Sequence, residues 1–432
     1  MRKTTFIAAG DAFITRRLPT EGYPGFAELQ QLIKRHDVRF LNLESTFHDR
    51  EGYPAAESGG TWAMSHPRTL DDVKAYGFNL FTTANNHAAD YGEGGLLATV
   101  AHLKERDMVF SGTGENLAEA SKPCYLETQH ARIAMISCYA GNRKNLQAGE
   151  QTRDMPGRPG LNPLGIREVY HLDQPHFEMV KELAKVSTVN RTVEKSVRNG
   201  YTAPYPENVT VLAGAQFALD DHCWVENLPN EKDMLRIEDE IREAKRQADV
   251  VLVSIHNHFL DGYADNVAPK FLEIFAHRCI DAGANVIIGH GPHELQGIEL
   301  YGGGAIFYSI GNFLFETETV ESQPWDAYYN QGLPAQTTRV GAFMSHRSKN
   351  NTVGYNVQWP IWNSVLAGWT LEEGKLTQIQ LYPITLGMEK SRGQKGVPVL
   401  NKSEQTLAYL QKLSAPYGTR IAVREGVGYI AL

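Results

Sequence analysis

The chain has 432 residues, 42% of them hydrophobic and 21% charged, which is enough apolar material for one large core and too much for a disordered polymer. A formal net charge of -8 excludes the basic excess of a general nucleic-acid surface, so an anionic ligand has to be captured locally. No stretch reaches the roughly 20 apolar residues that span a bilayer, and Asp11 breaks the amino-terminal apolar run, so the chain reads as cytoplasmic.

Short β-type runs alternate with longer stretches of helical spacing, the pattern of an α/β fold. In chain order, strands are predicted at 4–9, 40–43, 80–83, 108–110, 131–137, 250–255, 286–288 and 305–308. Helices are predicted at 24–34, 67–76, 95–106, 174–183, 230–247 and 271–282, each with apolar residues three and four apart. A hairpin is expected over 368–386 with Glu373 and Gly374 as its turn. Segments 187–221 and 317–361 do not fit the alternation and are read as insertions or lid loops. Within the second, Trp325, Tyr328 and Tyr329 are expected to close over a site. The whole is expected to form one domain over 1–390, with 391–432 as an extension packed on it. Cys124, Cys138, Cys223 and Cys279 lack CxxC spacing and are expected to be buried free thiols.

Metal-competent side chains fall where strands end, the place at which open α/β sheets bind ligands. The run ending at Gly10 is followed by Asp11, that at Leu43 by Glu44, and that at Ala84 by Asn85, Asn86 and His87. Later runs deliver His256 and His258, then His290 and His293. Any one of these has an ordinary explanation as a turn, a cap or a structural imidazole. Together they are the oxygen and imidazole donors of a divalent metal centre, holding one or two ions of Mn, Zn, Fe, Mg or Ca. His87 beside Asn86 is placed to move a proton, and His258 shares the strand face of His256. Arg143, Lys144, Arg153 and Arg158 form a basic loop cluster able to bind carboxylate or phosphate.

Successive blocks resemble the capsule-synthesis proteins of the CapA, or poly-gamma-glutamate, type within the calcineurin-like metallophosphoesterase superfamily. They are GDAFITRR (10–17), NLEST (42–46), ANNHAADYGEGGL (84–96), RPGLNPL (158–164), SIH (254–256), DAGANVIIGHGPHELQG (281–297) and FYSIGNFLFE (307–316). The resemblance implies a four-layer αββα sandwich. It also implies metal ligation by Asp11, Glu44, Asn86, His256, His290 and His293, Glu44 bridging, with His87 as acid or base. Arg16, Asn85, Arg143, Arg158 and Asn312 are expected on the substrate side. Two departures stand out: Phe13 replaces the His of the superfamily's Asp-x-His, and Asn257-His258-Phe259-Leu260 replaces the common Trp-Gly-x-Glu.

Three functions follow as expectations. The first is a metal-dependent hydrolase cleaving an amide or ester of a small acidic or peptide-like substrate, glutamyl compounds among them. The second is a metal-dependent peptide epimerase using His87 and His258. The third is a non-catalytic component of poly-gamma-glutamate capsule synthesis. Assembly into a homo-oligomer is left open.

Overall fold

β1 (Thr4–Phe13) is the apolar run that opens the chain, and it lies at the heart of the first sheet. The computed structural model describes residues 3–262, 264 and 266–432. From β1 the chain passes through α1 (Phe26–Lys34), β2 (Val38–Leu43), α2 (Thr69–Tyr76), β3 (Leu80–Thr82), α3 (Gly92–Lys104) and β4 (Phe110–Ser111). The four strands pair in parallel in the order β1, β2, β3, β4. β1 runs four residues past the predicted end because its register slips between Ala9 and Asp11, a bulge that keeps the strand going while turning Asp11 inward. β4 begins two residues later than predicted. The backbone amide of Met108 still donates to the Leu103 carbonyl, and Asp107 takes a left-handed φ of 50°, so 107–108 close α3 and are not free to start a strand.

A second sheet is built on β5 (Arg132–Ala140). After it the chain leaves to form a separate four-stranded sheet from β6 (Ile166–Leu172), β7 (Val209–Leu212), β8 (Ala215–Leu219) and β9 (Trp224–Pro229), with α4 (Gln174–Ser187) and α5 (Arg191–Arg198) between β6 and β7. Segment 187–221, expected as an irregular insertion, thus carries a helix and two strands; β7 and β8 pair antiparallel, with Val209 opposite Ala218, Thr210 opposite Phe217 and Leu212 opposite Ala215. The chain returns through α6 (Glu231–Gln247), β10 (Val250–Asn257), α7 (Lys270–Ala282), β11 (Val286–His290) and β12 (Gly304–Phe307). β5, β10, β11 and β12 are parallel neighbours in that order.

β13 (Asn312–Phe315) then joins β1 in parallel, and β14 (Asn363–Glu372) joins its other end antiparallel. β14 and β15 (Lys375–Thr385) form the expected hairpin, whose turn residues Glu373 and Gly374 both have positive φ, 49° and 79°, the condition for a two-residue turn that matches strand twist. Strands Ile421–Arg424 and Val427–Ile430 of the carboxyl-terminal segment extend the same sheet beyond β15.

The two large sheets share one core. Phe6, Phe40 and Leu80 from the first pack with Ile133, Leu252, Val286 and Phe307 from the second. Because side chains alternate along a strand, the intervening residues face outward. Ile7 and Leu41 pack under Leu29, Ile33, Leu70 and Val73 of α1 and α2. Val251, Val253 and Ile287 pack under Met234, Ile237, Ile241, Phe271 and Phe275 of α6 and α7. Each such side chain contributes about 1.5–3 kcal/mol on burial, so the register of both sheets is fixed by apolar alternation. Among the described residues no helix is long and apolar enough to cross a membrane.

Candidate metal centre

Strand register brings the donors together. Asp11 on β1 stands opposite Asn42 on β2, and His256 on β10 stands opposite His290 on β11. The carboxyl ends of the two sheets meet, so a carboxylate pair from one faces imidazoles from the other. Asp11 Oδ1 lies 3.6 Å from His290 Nδ1 and 3.8 Å from His256 Nδ1, while Asp11 Oδ2 lies 3.5 Å from His293 Nδ1. Glu44 Oε1 lies 3.6 Å from His256 Nε2 and 3.7 Å from His293 Nε2. His258 closes the group, its Nε2 being 3.1 Å from His256 Nε2. Three overlapping donor sets result: Asp11–His256–His290, Glu44–His256–His258 and Asp11–Glu44–His293.

Local sequence sets each position. Gly10 allows the bulge because a Cβ there would fall 1.7 Å from the Gly311 carbonyl oxygen, which accepts the Asp11 amide at 3.0 Å. Gly291, with φ 117°, turns its amide onto Asp11 Oδ2 at 3.0 Å. His293 itself has φ 63°, a left-handed conformation rarely adopted by a non-glycine residue; strain of this kind persists where the surroundings over-determine it. Asn312 supplies that restraint, its Oδ1 2.9 Å from His293 Nδ1 and its Nδ2 donating to the His293 and Ile361 carbonyls.

Electrostatics mark the centre as incomplete by protein atoms alone. Glu44 is fully buried, and neither carboxylate oxygen has a hydrogen-bond partner. Burial, then the Asp11 charge beside it, pushes its pKa well above the usual carboxylate range. Burial works the same way on Asp11, but the His293 hydrogen bond and charge, with the Asn42 hydrogen bond, outweigh it and hold Asp11 below its ordinary value. Burial drives His290 down to about 4 and His256 well below the normal imidazole range, so both rings are neutral and can offer a lone pair. For His293 burial opposes the charge, yet Glu44 and Asp11 prevail and hold it well up. The Oδ1 of Asn86 is likewise buried without a partner, while its Nδ2 donates to the Gly59 carbonyl at 3.1 Å. An unpaired buried Glu44 oxygen beside the neutral His256 imidazole fits a divalent cation, which accepts both donor types.

His87 sits beside this group under the loop at Gly59. Its Nδ1 is 2.6 Å from Asp90 Oδ2, an orientation that leaves Nε2 for proton transfer. Asp90 is held in turn by the Gly59 and Ala63 amides at 2.9 and 2.8 Å. The phenyl ring of Phe13 packs edge-on against His87 at 5.3 Å. A cleft of about 390 Å³ opens beside Asn86 and His258 and is lined also by Gly59, Tyr139, Asn142 and Arg143.

Several expected substrate contacts are committed elsewhere. Asn85 donates to the Leu43 carbonyl at 2.7 Å and accepts the His87 amide, so it braces the turn. Arg16 pairs with buried Glu316 at 2.7 Å, and Arg158 returns to the Gln147 carbonyl at 3.0 and 3.1 Å. Asn312 holds His293, as described. Arg143 alone of this set lines the cleft, where it donates to the Ser58 carbonyl at 3.0 Å. Of the aromatic residues expected to close over the site, Tyr328 is buried in one cluster with Phe13, Phe315 and Phe343, and Trp325 stacks on Tyr329 with both rings exposed. The aromatic side chains against His293 are Phe315 and Tyr355, at 5.1 and 5.6 Å.

Four positions escaped the sequence reading. Asp90 could have been found from the His-x-x-Asp spacing in NNHAAD. Asn42, two residues before Glu44 and hence on its strand face, donates to Asp11 at 2.6 Å. Ser254 Oγ lies 2.7 Å from His290 Nε2, and only the observed register exposes its role. Tyr355 lies in a segment whose sequence carries no signal of placement.

A family model described as "Bacterial capsule synthesis protein PGA_cap" matches residues 5–317. An uncharacterised protein, y4sH of Sinorhizobium fredii, is 32% identical over 99% of this chain and 93% of its own length. "Capsule biosynthesis protein CapA" of Bacillus anthracis is 26% identical over 67% of this chain and 53% of that protein. Among solved structures, a hypothetical protein from Thermus thermophilus aligns at 13% identity over 88% of this chain and 98% of its own, with a TM-score of 0.40.

Proposed function

Since the chain belongs to the bacterial capsule synthesis protein PGA_cap family, we propose that it is a metal-dependent hydrolase of the calcineurin-like four-layer type, acting on an amide or ester of a small acidic or peptide-like substrate. The observation that carries this reading is Glu44, whose two buried oxygens lack any hydrogen-bond partner and whose Oε1 stands between the imidazoles of His256 and His293. Asp11, Glu44, Asn86, His256, His290 and His293, with His258 beside them, would hold one or two divalent ions. Such ions supply a polarised acceptor for substrate oxygen and a water of lowered pKa.

The chain's own residues would do the rest. His87, oriented by Asp90, gives its proton to the leaving group from Nε2 or takes one there. Arg143 at the cleft wall pairs with a substrate carboxylate or phosphate, giving up its bond to the Ser58 carbonyl. Phe13 and Tyr355 keep water from the flanks of His87 and His293. A capsule role comes from the relatives' printed names and is part of the same proposal.

The test is metal-loaded protein assayed on panels of peptides, γ-glutamyl amides and phosphoesters, with and without chelator. Chelator-sensitive cleavage that is lost in His87→Asn but not accompanied by loss of metal supports the reading. Inertness of protein with full metal content points to the non-catalytic capsule component. A second reading, peptide epimerisation, is favoured by the placement of His258 on the cleft wall in addition to His87. Its signature is deuterium uptake from solvent into an intact peptide.

A further inference from the structure

The four-stranded sheet of β6 to β9 carries a separate cluster of ligand-type side chains. Asp173, the residue that caps α4, accepts the His176 amide through Oδ1 at 3.2 Å, and the same oxygen lies 2.5 Å from His176 Nδ1. Cys223, one residue before β9, brings Sγ within 3.8 Å of that same ring nitrogen. The three donor atoms all lie within 4.8 Å of one another. Cys223 is the exposed cysteine of the four, against the expectation that all are buried.

Geometry separates two explanations. A thiol nucleophile activated by an imidazole–carboxylate relay needs sulfur and carboxylate on opposite ring nitrogens, so that a proton taken at one is balanced at the other. Here both face Nδ1, which no relay can use. Donors of three kinds, delivered by two elements distant in sequence and meeting at one point, are instead what a single cation requires. The surroundings add capacity of the same sort: Asp220, Asp221 and His222 form a contiguous donor group, and His171, stacked on Trp224 at 4.1 Å, has no hydrogen bond at either ring nitrogen although its Nδ1 lies 3.0 Å from Asp220.

We propose that Asp173, His176 and Cys223 form a second cation site, taking a borderline-soft divalent ion such as Zn(II) or Co(II) that binds thiolate, imidazole and carboxylate together. On binding, the Cys223 thiol releases its proton to solvent and sulfur takes the cation, so occupancy rises with pH. The site is independent of the centre at Asp11 and Glu44, which contains no sulfur ligand.

The experiment titrates the full chain with Co(II) and, separately, follows alkylation of Cys223 with and without Zn(II). Expected are a near-ultraviolet thiolate-to-Co(II) charge-transfer band, absent in Cys223→Ser, and alkylation slowed about tenfold or more by zinc. His176→Ala should lose the band and the protection. Asp173→Asn, which still caps a helix, should keep the native fold yet weaken zinc protection about tenfold. Absence of a thiolate band together with zinc-indifferent alkylation of Cys223 overturns the proposal. Because the other centre lacks sulfur, its success or failure leaves this readout unmoved.

Discussion

At the scale of single residues, pairing explains which donors act and which only support. Asp90 touches neither carboxylate of the centre, yet it fixes the tautomer of His87 and receives two backbone amides. Asp90→Asn should therefore lower turnover by about 10²–10⁴-fold, the usual worth of a positioned acid–base group, while bound metal measured by elemental analysis stays near wild type. A parallel drop in metal content would show that Asp90 shapes the ligand set instead. His48 gives a different test. It is 1% exposed, both its nitrogens are unpaired, and Tyr91 packs edge-on at 4.7 Å. Burial, acting first, depresses it to about 4, so the unfolded chain takes up a proton before the folded one does. Stability is thus whole above the ordinary imidazole value of 6.5, declines as pH falls toward 4, and loses nothing more to this group below that. Denaturant midpoints measured across that window should slope less for His48→Gln than for wild type.

At the scale of elements, much of the pattern was readable from the sequence. Apolar runs bounded by polar strand ends placed β1, β2, β10 and β11 within a few residues, because each has to bury one or both faces. The hairpin was legible from Glu373-Gly374 flanked by β-rich arms, since the twist of paired strands demands positive φ at that turn. What remained hidden depends on partners distant along the chain. The extension of β1 to Phe13 comes from the bulge at Gly10, and that bulge exists only because Gly311, far along the chain, approaches it. The fates of Arg16, Asn85 and Asn312 were hidden for the same reason: a polar side chain near a site reads alike whether it meets ligand or protein. Close approach of this kind also governs Gly289 on β11, where a Cβ would lie 2.0 Å from the Tyr308 carbonyl oxygen. Gly289→Ala should push β11 and β12 apart and cost about 3 kcal/mol or more, read as a large fall in Tm. Gly341→Ala, whose Cβ would meet only Arg392 at 3.6 Å, should leave Tm nearly unchanged.

At the scale of the whole molecule, the candidate centre is drawn from both sheets: Asp11 and Glu44 from one, His256 and His290 from the other, His293 from the turn that follows. The sequence suggested a set of candidate donors but not this division, because nothing in a strand end says which sheet it will join. A cation seated there would rivet two leaves that otherwise adhere through apolar contact and a few hydrogen bonds, such as the Gly291 amide on Asp11. Loading should accordingly raise the unfolding free energy by about 1.4 kcal/mol for each tenfold excess of free ion over its Kd, observable as a chelator-dependent drop in the midpoint of thermal unfolding. Glu44→Leu offers the converse: with no acid left to desolvate, the metal-free protein should be sturdier than its parent and deaf to added ion. A mutational scan for robustness alone would therefore favour discarding the carboxylate that the proposed chemistry needs, so the durability of this chain and its proposed reactivity pull on the same side chain in opposite directions.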